Sequence, residues 1–368
     1  MPRGEFRVLA INPGSTSTKI AVYANESPVL VRSLCHSDDE MEPFRGRPIL
    51  EQLPFRQAKI EYELTRAGFE LDGFDAVAGR GGLMRPMASG TYRVNEEMLK
   101  DLRLAPAGEH AANLGGFLAL EIASRGKGAA FVVDPVSVDE LSDKARISGL
   151  AIAERRSLSH ALNTKAVAKR YAHEQSTAYA DLRLVIAHLG SGISVSAHEQ
   201  GRMVDVNWAG QEGPFSTERC GGLQWSSVLQ LCFSGKYTED RLYNAFFREG
   251  GIYSYLGTKD LREVEHRIEA GDSRAKLIFE AMVYQVAKEI GAMATALDGR
   301  VDAILLTGGM AHSEKLIGQL RAATEWIAPV VAYPGEDELQ ALAEGALRVL
   351  RGEETARELK ALDLVATV

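Results

Sequence analysis

Three times along this chain an apolar run empties into a turn made of Gly, Ser and Thr, and that recurrence restricts what the chain can fold into. The turns lie at residues 13–19, 189–194 and 307–310. Around the first, residues 8–11 read as a buried strand and residues 20–23 as its hairpin partner. Around the second, residues 182–207 read as strand, Gly/Ser turn, strand, turn, strand. Around the third, residues 301–311 read as strand, glycine turn and the start of a helix. The two hairpins share one scheme, which predicts an internal duplication of structure. Phosphate oxygens need several N–H and O–H donors close by. Glycine lets the backbone approach, and hydroxyls add donors. One such turn is an ordinary hairpin, whereas three in one chain point to phosphate binding.

Two common phosphate motifs are excluded. No G-x-x-x-x-G-K-[ST] occurs, and the first turn leads into a strand where a P-loop leads into a helix. No G-x-G-x-x-G sits at a strand-to-helix turn. Elsewhere, helices are expected at 57–67, 96–102, 111–124, 161–171, 226–233, 238–247, 259–270 and 273–297, with Gly299 as a stop, and from Glu338 onward. Short strands are expected at 75–78, before Gly79-Arg80-Gly81-Gly82, and at 129–134, ending on Asp134. Residues 28–54 show no clear pattern. The repeat puts a domain boundary near residue 145, and 368 residues suit two domains of about 100–200 residues each.

A net charge of −8 argues against non-specific binding to nucleic acid or an anionic membrane. Cys35, Cys220 and Cys232 have no metal-ligand spacing; they suggest a reducing compartment and are expected as buried small apolar residues. The apolar run at 8–11 is too short for a signal peptide, and no run reaches the roughly 18 residues of a membrane span, so a cytoplasmic protein is expected.

INPGSTSTKIAV (11–22) resembles the opening signature of the acetate kinase family, and most closely its butyrate kinase branch. HLGSGISV (188–195) resembles the second phosphate loop of that family, and LLTGGMA (305–311) its adenosine loop. GRGGL (79–83), RRSLSHALNTK (155–165), ERCGG (218–222) and KDLREVE (259–265) follow in family order, so the resemblance spans nearly the whole chain. It implies an α/β fold of two RNase-H-like domains, the type found in actin, Hsp70 and sugar kinases, with a nucleotide cleft between them. The domains would be 1–145, joined by a C-terminal helix at 338–368, and 146–337. It also implies ATP and Mg2+, a small carboxylic acid as acceptor, and a homodimer or higher homo-oligomer.

Residue roles follow from the same resemblance. Arg80 and Arg219 match two arginines that grip the substrate carboxylate and the γ-phosphate, groups that suit their planar forks. His160 and His188 match histidines beside the transferring phosphoryl group, and Asp134 an aspartate that steadies the active-site arginine. Asn12, Ser15, Ser17 and Lys19 fall at the first phosphate contact, and Gly190, Ser191 and Gly192 form the second loop. Asp260, Arg262, Gly308, Gly309 and Met310 fall where adenosine is held. Glu338 or Asp337 matches a magnesium-linked glutamate. Gly81 and Gly82 leave room for an acyl chain that Leu83, Met84 and Met87 would line. Ser191 stands where acetate kinases have Asn, Glu218 where they have Thr, and Ala311-His312-Ser313 where they have G-E-N-S. These departures favour the butyrate branch. The expected activity is reversible phosphoryl transfer from ATP to butyrate or a similar short or branched acid. Acetate or propionate kinase, a sugar kinase using Asp134 as base, and a nucleotide-switch protein of the same fold are the alternatives.

Overall fold

The computed structural model describes residues 5–106 and 108–361, and contacts divide the chain into two compact units. Unit 1 comprises the chain up to Val138 together with the chain from Asp337; unit 2 is Asp139–Glu336.

Unit 1 holds β1 (Arg7–Pro13), β2 (Ser17–Ala24), β3 (Ser27–Cys35), β4 (Ala76–Arg80), β5 (Thr91–Arg93) and β6 (Ala129–Val133), in sheet order β3-β2-β1-β4-β6-β5. The first three strands form an antiparallel meander, and β4 and β6 extend it in parallel from β1. Val8, Leu9, Ala10 and Ile11 are all fully buried, the mark of a strand covered on both faces. The covers are the helices Leu114–Ala123 and Glu338–Leu350. Gly116 lies against Val132 and Gly345 against Val133, neighbours in β6 that point to opposite faces. β3 lies in the stretch that showed no pattern. It is an edge strand with only Leu30 and Leu34 buried, so its apolar residues carry no alternation. β5, three residues long, also went unpredicted.

Unit 2 repeats the plan with β7 (Leu184–Leu189), β8 (Ile193–Glu199), β9 (Arg202–Val206), β10 (Ala303–Gly308) and β11 (Val330–Pro334). β7, β8 and β9 form the antiparallel meander, and β10 and β11 add in parallel. The order β11-β10-β7-β8-β9 matches β6-β4-β1-β2-β3, so the duplication is present as topology. The helix Ser273–Ala296 sends Phe279, Met282, Val286 and Ile290 into the core beside β7 and β8. Its end is set one residue earlier than Gly299 suggests: Asp298 takes the left-handed conformation (φ 56°), and Gly299 N–H closes on the Ala294 carbonyl (2.9 Å).

Four shorter helices lie between β9 and the long one: Trp225–Cys232, Glu239–Phe247, Gly251–Leu256, which was not predicted, and Leu261–Glu269. The first buries none of its residues. The cysteines correct an expectation, since Cys35 and Cys232 are exposed and Cys220 only half-buried. No helix among the described residues is long and apolar enough to cross a membrane.

Candidate active site

In unit 1, Arg80 ends β4 where the strand meets the helix Leu114–Ala123. The two backbones touch there. A Cβ on Gly79 would sit 2.0 Å from the Gly115 carbonyl oxygen, and one on Gly115 would sit 2.0 Å from that of Arg80. Arg80 Nη1 donates to Glu338 Oε2 (3.0 Å) and to Asn12 Oδ1 (3.4 Å), and Asn12 Nδ2 donates to the same Glu338 oxygen. Both partners are buried, Asn12 on β1 and Glu338 at the start of the last helix. The carboxylate expected to face a metal is thus bound to the arginine. Asp337, the residue before that helix, makes no side-chain cap bond. Asp134 accepts from Ser89 Oγ (2.6 Å) and Gly90 N–H (2.7 Å), while the hydrogen bonds seen on the Arg80 guanidinium are those of Glu338 and Asn12.

Ser15 and Lys19 are exposed and Ser17 half-buried, all on the first turn or its outgoing strand. The room expected beside Gly81 and Gly82 is taken up by neighbouring segments. A Cβ on Gly81 would lie 2.4 Å from Pro135 Cβ, and one on Gly82 would lie 2.1 Å from Asn113 Oδ1. These glycines permit close packing and open no space. Leu83 is half-buried, and its N–H donates to Asn113 Oδ1 (2.9 Å); Met84 and Met87 belong to the core.

In unit 2 the second turn gathers most of its expected partners. His188, at the end of β7 and buried, has Nδ1 2.8 Å from Asn163 Oδ1 and Nε2 3.6 Å from Glu336 Oε1. Its ring stacks on that of His160 (centroids 3.8 Å apart, 10° between planes). His160 precedes the helix Ala161–Glu174 and has Nδ1 2.9 Å from Ser194 Oγ. A Cβ on Gly190 would come 3.0 Å from His188 Nε2, and one on Gly192 would come 2.6 Å from Arg219 Nη1. Each glycine therefore admits one candidate side chain against the loop. Arg219 Nη1 also donates to the Ala209 carbonyl (2.9 Å), and burial lowers its guanidinium below the ordinary arginine value. The Ser216 hydroxyl ties the two loops together: it donates to the Ser191 carbonyl and accepts from the Arg219 N–H (3.1 Å).

The third turn adjoins the second. Gly308 (φ 93°) passes so close to β7 that a Cβ would fall 2.4 Å from the Leu189 carbonyl oxygen. Gly309 and Met310 follow in the 3-10 turn Gly309–His312. Asp260 and Arg262 form an exposed ion pair (2.7 Å) that draws the Asp260 carboxyl down to about 2, and Asp260 caps the helix Leu261–Glu269. Lys259 bonds Glu218 (2.8 Å), linking the neighbour of Asp260 to the neighbour of Arg219. Asn163, Ser194 and Ser216 were not foreseen. Asn163 carried a signal, since it follows His160 by about one helical turn and so shares its face.

Comparison with known proteins identifies the family. The model of the acetokinase family matches residues 150–324. Butyrate kinase 2 of Clostridium acetobutylicum is 49% identical over 357 residues, covering 97% of this chain and all of that protein. The crystal structure of Porphyromonas gingivalis acetate kinase superposes with a TM-score of 0.75 at 19% identity, over 94% of this chain and 100% of that one. A propionate kinase from Francisella tularensis superposes with a TM-score of 0.69 at 18% identity, over 92% and 98%. These structures share the fold, and the likeness to the butyrate kinase runs through both units: the chain belongs to the acetokinase family.

Proposed function

We propose that this chain transfers the γ-phosphoryl group of ATP reversibly to butyrate, or to a branched acid of similar length, giving butanoyl phosphate and ADP. The observation that carries the reading is the Gly190–Gly192 loop, pressed by His188 on one glycine and Arg219 on the other, in a chain 49% identical to a butyrate kinase. A carboxylate is already ionised at neutral pH, so the acceptor needs no general base. The reaction needs in-line alignment and positive charge around the spreading oxygens. Arg80, oriented by Glu338 and Asn12, holds the substrate carboxylate. Arg219 and the stacked His160–His188 pair stabilise the transferring group, and Ser216 keeps Arg219 and the loop in register. Gly308, Gly309 and Met310 receive the nucleoside, with Asp260 and Arg262 at its outer edge.

Magnesium suits this site as a substrate-borne ion. Among the described residues no three His, Cys, Asp or Glu side chains gather to cage a metal, and nucleotide magnesium commonly takes one or two carboxylates plus water and phosphate oxygens. Glu338 is the carboxylate that would serve, with Asp337 beside it. Bound there, the ion would neutralise charge on the phosphates. We assign the protein to the cytoplasm, whose reducing conditions suit its exposed thiols. A second copy of the chain covers the helix Trp225–Cys232, which has no charged residue and leaves Trp225 75% and neighbouring Phe233 83% exposed. Phe233→Asp is expected to shift the oligomer toward monomer in light scattering; an unchanged mass removes that interface.

The test of the activity is ATP-dependent hydroxamate formation with acetate, propionate, butyrate, isobutyrate and a hexose. Hydroxylamine traps acyl phosphates and leaves sugar phosphates untouched. A maximum at four carbons is expected. A maximum at acetate would move the chain to the acetate kinases, and no signal with any acid would end the reading.

A further inference from the structure

Arg56, in the helix Leu53–Arg66, is wholly buried and plays no part in the roles above. Its guanidinium lies behind the first glycine turn. Nη1 donates to the carbonyls of Gly14 (2.9 Å) and Ser17 (3.3 Å) and to the Thr18 hydroxyl (3.0 Å); Nη2 reaches the Ser15 carbonyl (3.4 Å). Gln52 Oε1 accepts from Nε (3.0 Å) and Nη2 (2.8 Å). Among the described residues these acceptors are all neutral and no carboxylate pairs with it. Burial brings the guanidinium down to about 10, which leaves it a cation at neutral pH. A buried cation without a counter-ion is costly, and removing it from water here has to be offset by something it does.

The turn itself shows what that is. The fourth carbonyl, that of Thr16, accepts from His36 N–H (2.9 Å), and Gly14 N–H closes the turn on Ser17 (2.8 Å). All four carbonyls of residues 14–17 are therefore held on the protein side. The N–H groups of Ser15 and Thr16 have no acceptor among the described residues, and both residues are exposed. Successive unpaired N–H groups at a turn form an anion-binding nest. His36 completes the support. It is buried, its Nε2 lies 3.0 Å from Thr18 Oγ1, and burial with the Arg56 and Lys59 charges holds it down to about 4, so it stays neutral.

We infer that Arg56 is a positioning residue for phosphoryl transfer: it draws the carbonyls of the turn inward, which aims the Ser15 and Thr16 N–H groups at the transferring phosphoryl group, whose negative charge supplies the counter-charge the buried cation lacks. This inference rests on the carboxylate-kinase reading. The test is Arg56→Met beside Arg56→Lys in the hydroxamate assay. Arg56→Met is expected to lower kcat about 100-fold, the scale of a lost oxyanion donor, while KM for butyrate moves less than about threefold. Arg56→Lys should restore part of kcat, because it keeps the charge. A folded Arg56→Met with kcat within about threefold of wild type overturns the inference. Should Arg56→Met fail to fold, amide exchange in the wild-type protein decides: butanoyl phosphate should slow exchange at Ser15 and Thr16, and unchanged exchange overturns the role. If the wild-type protein makes no hydroxamate with any acid, the kinase reading fails on its own, and the same exchange is followed with inorganic phosphate and ATP, where absent protection at Ser15 and Thr16 rejects Arg56 as well.

Discussion

The two hairpin turns occupy equivalent places in equivalent sheets and are supported in opposite ways. In unit 1 the cation is behind the turn: Arg56 pulls the carbonyls of Gly14, Ser15 and Ser17 inward, and no cationic side chain lies against Gly14, where a Cβ would meet only Ser17, its carbonyl oxygen at 3.3 Å and its hydroxyl at 3.9 Å. In unit 2 the cation lies against the turn, with Arg219 on Gly192 and His188 against Gly190, while Ser216 holds one carbonyl. One turn is shaped for its backbone donors, and the other for the side chains brought to it. Duplication of a fold has thus kept the strand order and changed the source of positive charge.

The comparison can be broken most sharply at Arg219. Arg219→Ala should lower kcat about 10²–10³-fold, or about 2.7–4 kcal/mol, in the hydroxamate assay. A kcat near wild type would remove Arg219 from the chemistry and leave the unit 2 turn with no cation of its own. The unit 1 support is open to a pH test through His36, whose folded value of about 4 lies below its ordinary 6.5. Between those values the unfolded chain binds a proton that the folded chain does not, so stability is complete above about pH 6.5 and falls as pH drops toward 4. The loss is at most about 3 kcal/mol. Urea midpoints at pH 7 and pH 4.5 should differ less in His36→Gln than in wild type; equal differences in the two proteins would deny His36 its buried, neutral state.

Smaller effects sharpen the contrast. Gly192→Ala puts a methyl where the Arg219 guanidinium lies and should cost about tenfold in kcat, or about 1.4 kcal/mol, with little change in the thermal midpoint. Ser216→Ala removes the link between the Ser191 carbonyl and the Arg219 loop, at about 1 kcal/mol of stability by urea titration. Gly14→Ala should be the mildest, within about 0.5 kcal/mol in stability and near wild type in kcat. If Gly14→Ala harmed kcat as much as Gly192→Ala, the two turns would be built alike after all.

Much of the unit 2 group was readable because its members sit in short family motifs. His188 follows an apolar run directly, and Arg219 lies in ERCGG. The reading failed where a residue acts through packing. Gly81 and Gly82 looked like open space, and only the neighbouring chain shows that Pro135 and Asn113 fill it. Cys35 and Cys232 looked like small core residues, but lie on an edge strand and on a helix that buries nothing in its own chain.

By itself the sequence determined the three glycine turns, the strands that feed them and the order of the family motifs, because apolar runs and glycine chemistry act between neighbours along the chain. Tertiary structure alone decided what stands behind each turn. Arg56 meets Gly14 from 42 residues away, and Glu338 meets Arg80 from 258. Local periodicity reports whether a side chain is buried, and it carries no record of which distant polar group will be buried beside it; that pairing is fixed only when sheets and helices close on one another and every buried charge must find its partners.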